Sequence, residues 1–437
     1  MSTVEKGDVS MCKDKLNFTN GLSNLSDNFK SLAVPMYLCY FTVNTWKRFV
    51  LILKHVLTLS AVTYKSKIIA KKMEEGCCNN VDVDLDPRHK GFEWCKDSLG
   101  GTWATLSEKD IEITQISGGL TNLLYLCTIP SHINVCDNEP RRVLLRIYGE
   151  IAKTSKEFLL KNSVIFALLS EKKLGPKLYC MHPEGRLEEY IPTRCLSRNE
   201  IQLSDISLKV ATKLALFHSL EMPLCKEPRM LKDIMKDWLV KVENILQKGD
   251  KQNDALINKL LSYNLREELD KLLDILSKVN SPVRFCHNDL QEGNLLYLRD
   301  EIPERQLTAI DWEYCGYNFR GFDFGNHFCE WCFDYQTAPE YPYYSYHPED
   351  YPSRENQYEF FKKYLNASGT SYVTDKILQD LYREANTFAL ASHFFWGLWS
   401  VVQGEISDIE FGFMDYAVCR LDAYFRWKPV VSSILND

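Results

Sequence analysis

From Ile111 onward the apolar positions fall first into short runs and then into long runs at helical spacing. Ile111 to Ile116, Leu123 to Ile129 and Val143 to Tyr148 read as short strands. A polar loop, Ser131 to Arg142, separates the last two, with Pro130 before it and Pro140 near its end. Phe158 to Leu169 carries its apolar residues at the period of a helix, and Leu187 to Ile191 is a short strand closed by Pro192. Beyond it the pattern predicts helices over Leu203 to Leu220, Met230 to Leu246, Ala255 to Leu276, Asn356 to Leu365, Thr374 to Gln403 and Asp415 to Phe425. A strand-rich part followed by a helix-rich part predicts an α+β protein of two lobes. No internal repeat is present.

Residues 1–85 follow a different pattern. Ser2 to Asp27 is polar and without periodicity, the composition of a segment that stays disordered. Met36 to Tyr64 is apolar, but Asn44, Lys47, Arg48, Lys54 and His55 interrupt it. A membrane span needs roughly 20 mostly apolar residues, so none is expected here. Phe49, Ile52, Leu53 and Val56 lie at helical spacing, which suits either an amphipathic surface helix or one packed on the body of the protein. Glu74 to Asp86 reads as a linker. The expected organisation is an N-terminal extension over 1–85, a strand-rich lobe over 86–191 and a helical lobe over 192–437.

Composition narrows the function. With 437 residues, 45% hydrophobic and 25% charged, the chain can bury sizeable cores. Its formal net charge of −7, without a basic block, argues against nucleic acid. Fifteen cysteines without a repeating spacing, and no stretch that reads as a signal peptide, suggest reduced thiols in a cytoplasmic protein. Cys329 and Cys332 follow His327 closely, yet no second pair completes a metal site, and helix packing is the simpler expectation.

Candidate chemistry concentrates in Val283 to Asp311. His287-Asn-Asp289 is followed by Asn294, a spacing that protein kinases use for a base that takes a hydroxyl proton and an amide that holds Mg²⁺. An alcohol needs that help, being a poor nucleophile until it is oriented and relieved of its proton. Leu295 to Leu298 and Leu307 to Ile310 form a hairpin around a charged turn, which returns Asp311 beside this loop as a second metal ligand. The plainer alternative is a set of turn-forming Asp and Asn residues. Upstream, Ile116 to Leu124 places Gly118 and Gly119 between two strands, where backbone N–H groups could meet phosphate, although a plain hairpin turn needs the same glycines. Arg146 lies inside an apolar strand, where a guanidinium suited to phosphate has few structural explanations.

His287-Asn-Asp-Leu-Gln-Glu-Gly-Asn294, Ile310-Asp-Trp-Glu-Tyr314, the run Tyr317 to Trp331 and Ser392 to Trp399 resemble the choline/ethanolamine kinase family, over about Asp86 to Lys428. The resemblance implies a protein-kinase-like bilobal fold, use of ATP and Mg²⁺, phosphorylation of an amino alcohol at the head of the CDP-choline route, and a homodimer. It also implies a nucleotide site formed by Ser117, Gly118, Gly119, Leu120, Thr121, Asn122, Leu123, Arg146, Gln291 and Asp311, with Glu189, Tyr190 and Ile191 on the adenine side. Asp289 would be the base, with Asn294 and Asp311 holding the metal. Glu313, Tyr314, Glu330, Tyr335, Trp396, Trp399, Phe411 and Tyr416 resemble a pocket for choline, since a quaternary ammonium has no N–H and binds best to aromatic faces and carboxylates. Two positions depart from the family. Ser117 stands where many members carry a basic residue, and Asn162 where a kinase helix offers a Glu to the strand cation. Ethanolamine is the alternative substrate. A regulatory subunit without activity, prompted by Asn162, is the non-enzyme alternative, and an aminoglycoside phosphotransferase would share the loop but not the aromatic motifs.

Overall fold

The fold is built on a mixed-layer plan in which one antiparallel sheet precedes a helical body. The computed structural model describes residues 86–116, 122–149, 156–250, 253–298, 301, 306–407 and 409–436. The N-terminal extension and Ser117, Gly118, Gly119, Leu120 and Thr121 lie outside them. Apart from Pro223–Cys225, the described residues belong to one unit.

Helix α1 (Pro87–Leu99) opens this unit, just past the expected linker, with the Asp86 carboxylate accepting from Arg88 N at 3.1 Å and Pro87 in the first turn. Next come the short α2 (Gly101–Thr105) and the strands β1 (Glu112–Ile116), β2 (Asn122–Thr128) and β3 (Arg142–Tyr148). Helix α3 (Lys156–Glu171) precedes the hairpin β4 (Leu178–His182) and β5 (Gly185–Glu189). The sheet is antiparallel throughout, in the order β1-β2-β3-β5-β4. Phe92, Cys95 and Trp103 bury against Tyr125, Val143 and Leu145 on one face of it. Two differences from the pattern reading appear here. β4 carries little apolar alternation and was not expected, and β5 begins two residues before the Leu187 start expected for it. Gly185 explains the second, because a Cβ there would lie 2.1 Å from Arg146 O, so only glycine lets β5 pair directly with β3.

The helical part begins with α4 (Arg198–Ile201), α5 (Ser204–His218), a π-helical turn over Met230–Ile234 and α6 (Met235–Lys248). The single helix expected over Ala255 to Leu276 is two, α7 (Asp254–Ser262) and α8 (Leu265–Ser277), because Asn264 between them is left-handed at φ 50. Strand β6 (Val283–Cys286) follows, then β7 (Leu295–Tyr297) and β8 (Leu307–Ala309), paired as the expected hairpin. Strand β9 (Gly316–Phe319) returns antiparallel to β6 and runs into α9 (Arg320–Glu330). The remainder is β10 (Phe333–Asp334), β11 (Ser345–Tyr346), α10 (Arg354–Ala367), α11 (Asp375–Ile406) and α12 (Phe413–Asn436). α12 passes the expected end at Phe425 and continues through Pro429, because Val431 and Ile434 still bury against the core. Among the described residues no helix is long and apolar enough to cross a membrane. The described cysteines are free thiols, and Cys329 and Cys332 are buried packing residues.

α11 lies against both α9 and α12, and its contact with α9 is close because α9 carries Gly321 and Gly325 on one face. A Cβ at Gly325 would meet Ala389 N at 2.4 Å and Ala385 O at 2.7 Å, both backbone atoms that cannot swing aside. Gly325→Ala is therefore expected to lower the unfolding free energy by about 1–3 kcal/mol, the usual scale of overpacking. Urea unfolding at constant slope measures it, and an unchanged midpoint would show that the two helices can separate freely.

Candidate active site

The site is held from beneath by one buried carboxylate. Asp323, in the first turn of α9 and fully buried, accepts from the backbone N–H of His287 at 2.9 Å and of Asn288 at 2.6 Å. Its Oδ2 also lies 3.0 Å from His218 Nε2 on α5, and His218 Nδ1 lies 3.0 Å from the Tyr364 hydroxyl on α10. Burial opposes ionisation of Asp323, but the hydrogen bond and charge of His218, His287 and the Asn288 N–H outweigh it and hold the carboxyl below its usual range. Asn288 is left-handed, φ 67, with Nδ2 donating to Tyr314 O at 3.0 Å and Oδ1 accepting from Asn318 Nδ2 at 2.8 Å. His287 Nε2 reaches Ile310 O at 3.1 Å, fastening the loop to the strand that carries Asp311.

Above this anchor the candidate groups gather. Asn294 Nδ2 donates to Asp289 O at 2.8 Å and Asp289 Oδ2 at 2.9 Å, and Ile310 N donates to Asn294 O at 2.9 Å. The amide nitrogen of Asn294 is thereby committed to Asp289, which leaves its amide oxygen as the atom suited to a hard cation. Burial pushes the Asp289 carboxyl well above its ordinary range, helped by the negative charges of Glu330, Asp311 and Glu313 and opposed by Asn294. Asp311, left-handed at φ 60, has Oδ2 at 3.8 Å from Arg146 Nη1. Arg146 and Asp311 share a cleft wall with Asn122, Asn162, Arg186 and Glu313. Gln291 accepts from Gly293 N at 3.1 Å and so shapes the turn between Asp289 and Asn294.

The cation does not rely on the helix. Glu188 on β5 is fully buried and its Oε1 takes Arg146 Nη2 at 3.3 Å and Nε at 3.4 Å, while Arg186 bonds the other oxygen. Burial alone would pull the Arg146 guanidinium down, but Glu188, Asp311 and Glu313 outweigh it and raise its pKa above the ordinary value. Asn162, expected as the neutral stand-in for a helix acid, lines the same cleft. At the end of β5, Glu189 is exposed and accepts from Lys177 N at 2.9 Å, and the Arg142 guanidinium lies over the Tyr190 ring at 5.1 Å. Ile191 follows, and Thr193 Oγ1 and Leu196 N then tie this connection to β7 through Tyr297 O at 2.6 Å and Leu295 O at 2.8 Å.

The aromatic residues form a second wall. Trp396 and Trp399 on α11 meet edge to face at 5.3 Å, and Tyr314 meets Trp396 the same way at 5.3 Å. Trp399 Nε1 donates to the Tyr314 hydroxyl at 2.8 Å, and Trp396 Nε1 to Asn326 Oδ1 at 2.7 Å. Phe411 packs 5.6 Å from Tyr416, whose hydroxyl lies 2.6 Å from that of Tyr335, and Tyr335 donates to Glu330 Oε2 at 2.9 Å. Glu330 does not stand alone. The buried Arg420 bonds its Oε1 and donates from Nε to the Tyr416 hydroxyl at 2.7 Å. The expected pocket residues thus form two groups, Tyr314 with Trp396 and Trp399, and Glu330 with Tyr335, Phe411 and Tyr416. Phe413 bridges them, 6.1 Å from Trp399 and 5.0 Å from Phe411, while Glu313 lines the cleft beside Arg146 and Asp311.

Comparison with known proteins agrees with this geometry. The family model described as Choline/ethanolamine kinase matches residues 113–425. The chain is 43% identical to a human choline/ethanolamine kinase over 80% of its length and 89% of that protein. It is 44% identical to mouse choline kinase alpha over 80% of this chain and 83% of that one. The chain belongs to the choline/ethanolamine kinase family. Its fold is similar to the crystal structure of the Cryptosporidium parvum choline kinase, with a TM-score of 0.66 and 28% identity, covering 79% of this chain and 97% of that one.

For this family member, pattern reading missed Asp323, Glu188, Arg186 and Arg420. Arg186 and Glu188 lie two apart on a strand and share a face, a signal that was available. Arg420 stands four residues after Tyr416 on a helix, which is also a readable spacing. Asp323 gives no local signal, because all its partners lie far away in sequence. Replacing it tests the anchor. Asp323→Asn would present an N–H₂ to a buried N–H and is expected to cost about 3 kcal/mol of stability. Since the native carboxyl is held low, its contribution exists above about pH 4 and fades as pH falls through the native value. Urea melts from pH 7 to pH 3 should therefore show a flatter acid limb in the variant. Parallel curves would mean that the carboxylate adds no stability of its own.

Proposed function

We propose that the protein transfers the γ-phosphoryl group of ATP to the hydroxyl of choline, giving phosphocholine and ADP. The observation that carries this is the joining of Asp289, Asn294 and Asp311 with Arg146 on one side and the Tyr314, Trp396 and Trp399 rings on the other. Asp289 orients the alcohol and accepts its proton, and Asn294 holds that carboxylate in one rotamer. Burial and neighbouring acids raise the Asp289 carboxyl well above its ordinary range, which strengthens it as a proton acceptor. Arg146 offers two N–H groups to phosphate oxygen, a bidentate fit that lysine lacks.

The donor set fits Mg²⁺. Asn294 and Asp311 present oxygen only, and carboxylates crowded at one place favour a hard cation. Bound there, the ion would neutralise charge on the transferring phosphate. The glycine loop from Ser117 to Leu123 would cover the phosphates, with Glu189, Tyr190 and Ile191 beside the adenine and Gln291 near the phosphate chain. The aromatic wall excludes water and gives a trimethylammonium group ring faces to lie on. Further parts of the reading are a cytoplasmic homodimer, entry of its product into phosphatidylcholine synthesis, and a division into 1–85, 86–191 and 192–437. Ethanolamine is the alternative substrate, since Glu330 can accept from a primary ammonium.

Two measurements test this. Release of ADP over a panel of amino alcohols should be fastest with choline, and Asp289→Asn should lower kcat by about 10² or more while ATP affinity holds. Full turnover by that variant would remove the assigned base. Trp399→Leu should raise the KM for choline roughly five- to thirty-fold and that for ethanolamine less, because the ring quadrupole contributes about 1–2 kcal/mol to a desolvated cation. Equal losses for both alcohols with a lower Tm would make Trp399 a packing residue.

A further inference from the structure

In protein kinases the strand cation is held by a glutamate on the adjacent helix, and moving that helix breaks the pair and switches the enzyme off. The same helix here, α3, brings Leu159, Asn162 and Phe166 to the cleft, none of them an acid. The charge comes instead from within the sheet. Arg146 on β3 faces Arg186 on β5 in register, and Glu188 is the diagonal neighbour on the same face. One oxygen of Glu188 takes two nitrogens of Arg146, at 3.3 and 3.4 Å, and the other takes Arg186. The Arg186 guanidinium in turn lies over the Phe166 ring at 4.0 Å. Two guanidinia share one buried carboxylate, which leaves the group with a net positive charge facing Asp311 and Glu313. α3 touches this triad through a ring and meets the cleft with an amide, so neither charge of the Arg146–Glu188 pair is carried by that helix.

We propose that Glu188 is the positioning residue that holds Arg146 for phosphate, replacing the helix acid of protein kinases, so that α3 does not gate this enzyme. The proposal rests on the reading of Arg146 as the phosphate cation. It also accounts for Asn162, which has no pairing task left to perform. A merely structural Glu188, present to neutralise two arginines, would act on stability alone.

The test is calorimetric ATP affinity together with steady-state kinetics on the full chain. Glu188→Gln should weaken ATP binding and raise its KM about tenfold, the scale of one charge-assisted hydrogen-bond pair, with the KM for choline changed less than about twofold. Glu188→Asp keeps the charge but shortens the reach, and should fall between the two, with a loss of about threefold. Should the glutamine variant not fold, the aspartate variant decides the matter. Asn162→Asp restores a helix acid and should bring no gain in ATP affinity. Wild-type ATP affinity in Glu188→Gln or Glu188→Asp overturns the proposal, and so does a fivefold or greater gain in Asn162→Asp. If the native protein binds ATP but phosphorylates no amino alcohol, the substrate reading fails while these affinities still judge Glu188.

Discussion

A single buried carboxylate, that of Asp323, sets the geometry on which the rest of the site depends. Two consecutive backbone N–H groups of the His287–Asn288 turn end on it, with Asn288 in the left-handed conformation. The cost of burying that charge is met by three donors from two parts of the chain, the His287–Asn288 turn and His218. Because α9 carries Asp323 near its start and Glu330 at its end, one rigid helix fixes both the loop with Asp289 and the acid of the aromatic wall. The glycines that let α11 approach α9 then bring Trp396 and Trp399 to the same place. The turn before Asp289 and the ring wall are thus both positioned by α9.

The second constraint is charge balance across the cleft. Asp311 and Glu313 face Arg146, whose own acid lies in the sheet at Glu188. Arg146 and Arg186 share the one carboxylate of Glu188, so that group keeps a net positive charge against the acids. That polarity suits a reaction in which negative phosphate must be drawn to one wall and a proton removed at the other. Arg420 plays the matching part beneath the rings, where it neutralises Glu330 and aligns two tyrosine hydroxyls.

The aromatic wall is part of the core as well as of the proposed binding site. Trp396 and Trp399 are both buried and belong to the main core, yet each spends its N–H on a polar partner at the site. Rings held by such bonds cannot turn to fill the space a cation would need, so the wall is organised before any ligand arrives.

The sequence by itself determined the strand-then-helix order, the hairpin that returns Asp311 to Asp289 and Asn294, and the membership suggested by long aromatic motifs. These are local matters, set by apolar period, turn residues and short spacings. It misplaced what depends on a neighbour. The break at Asn264 hides within a continuous apolar period, β5 starts early only because Gly185 meets a partner strand, and α12 runs on because the core has room for Val431 and Ile434. Asn162 looked like a lost ion pair, since pattern alone compares a residue with its expected counterpart. Tertiary structure moved that charge to Glu188, distant from Arg146 along the chain but a diagonal neighbour across the sheet. Asp323 shows the same limit most plainly: a carboxylate becomes an anchor only when a fold brings distant N–H groups to it and excludes the water that would otherwise take their place.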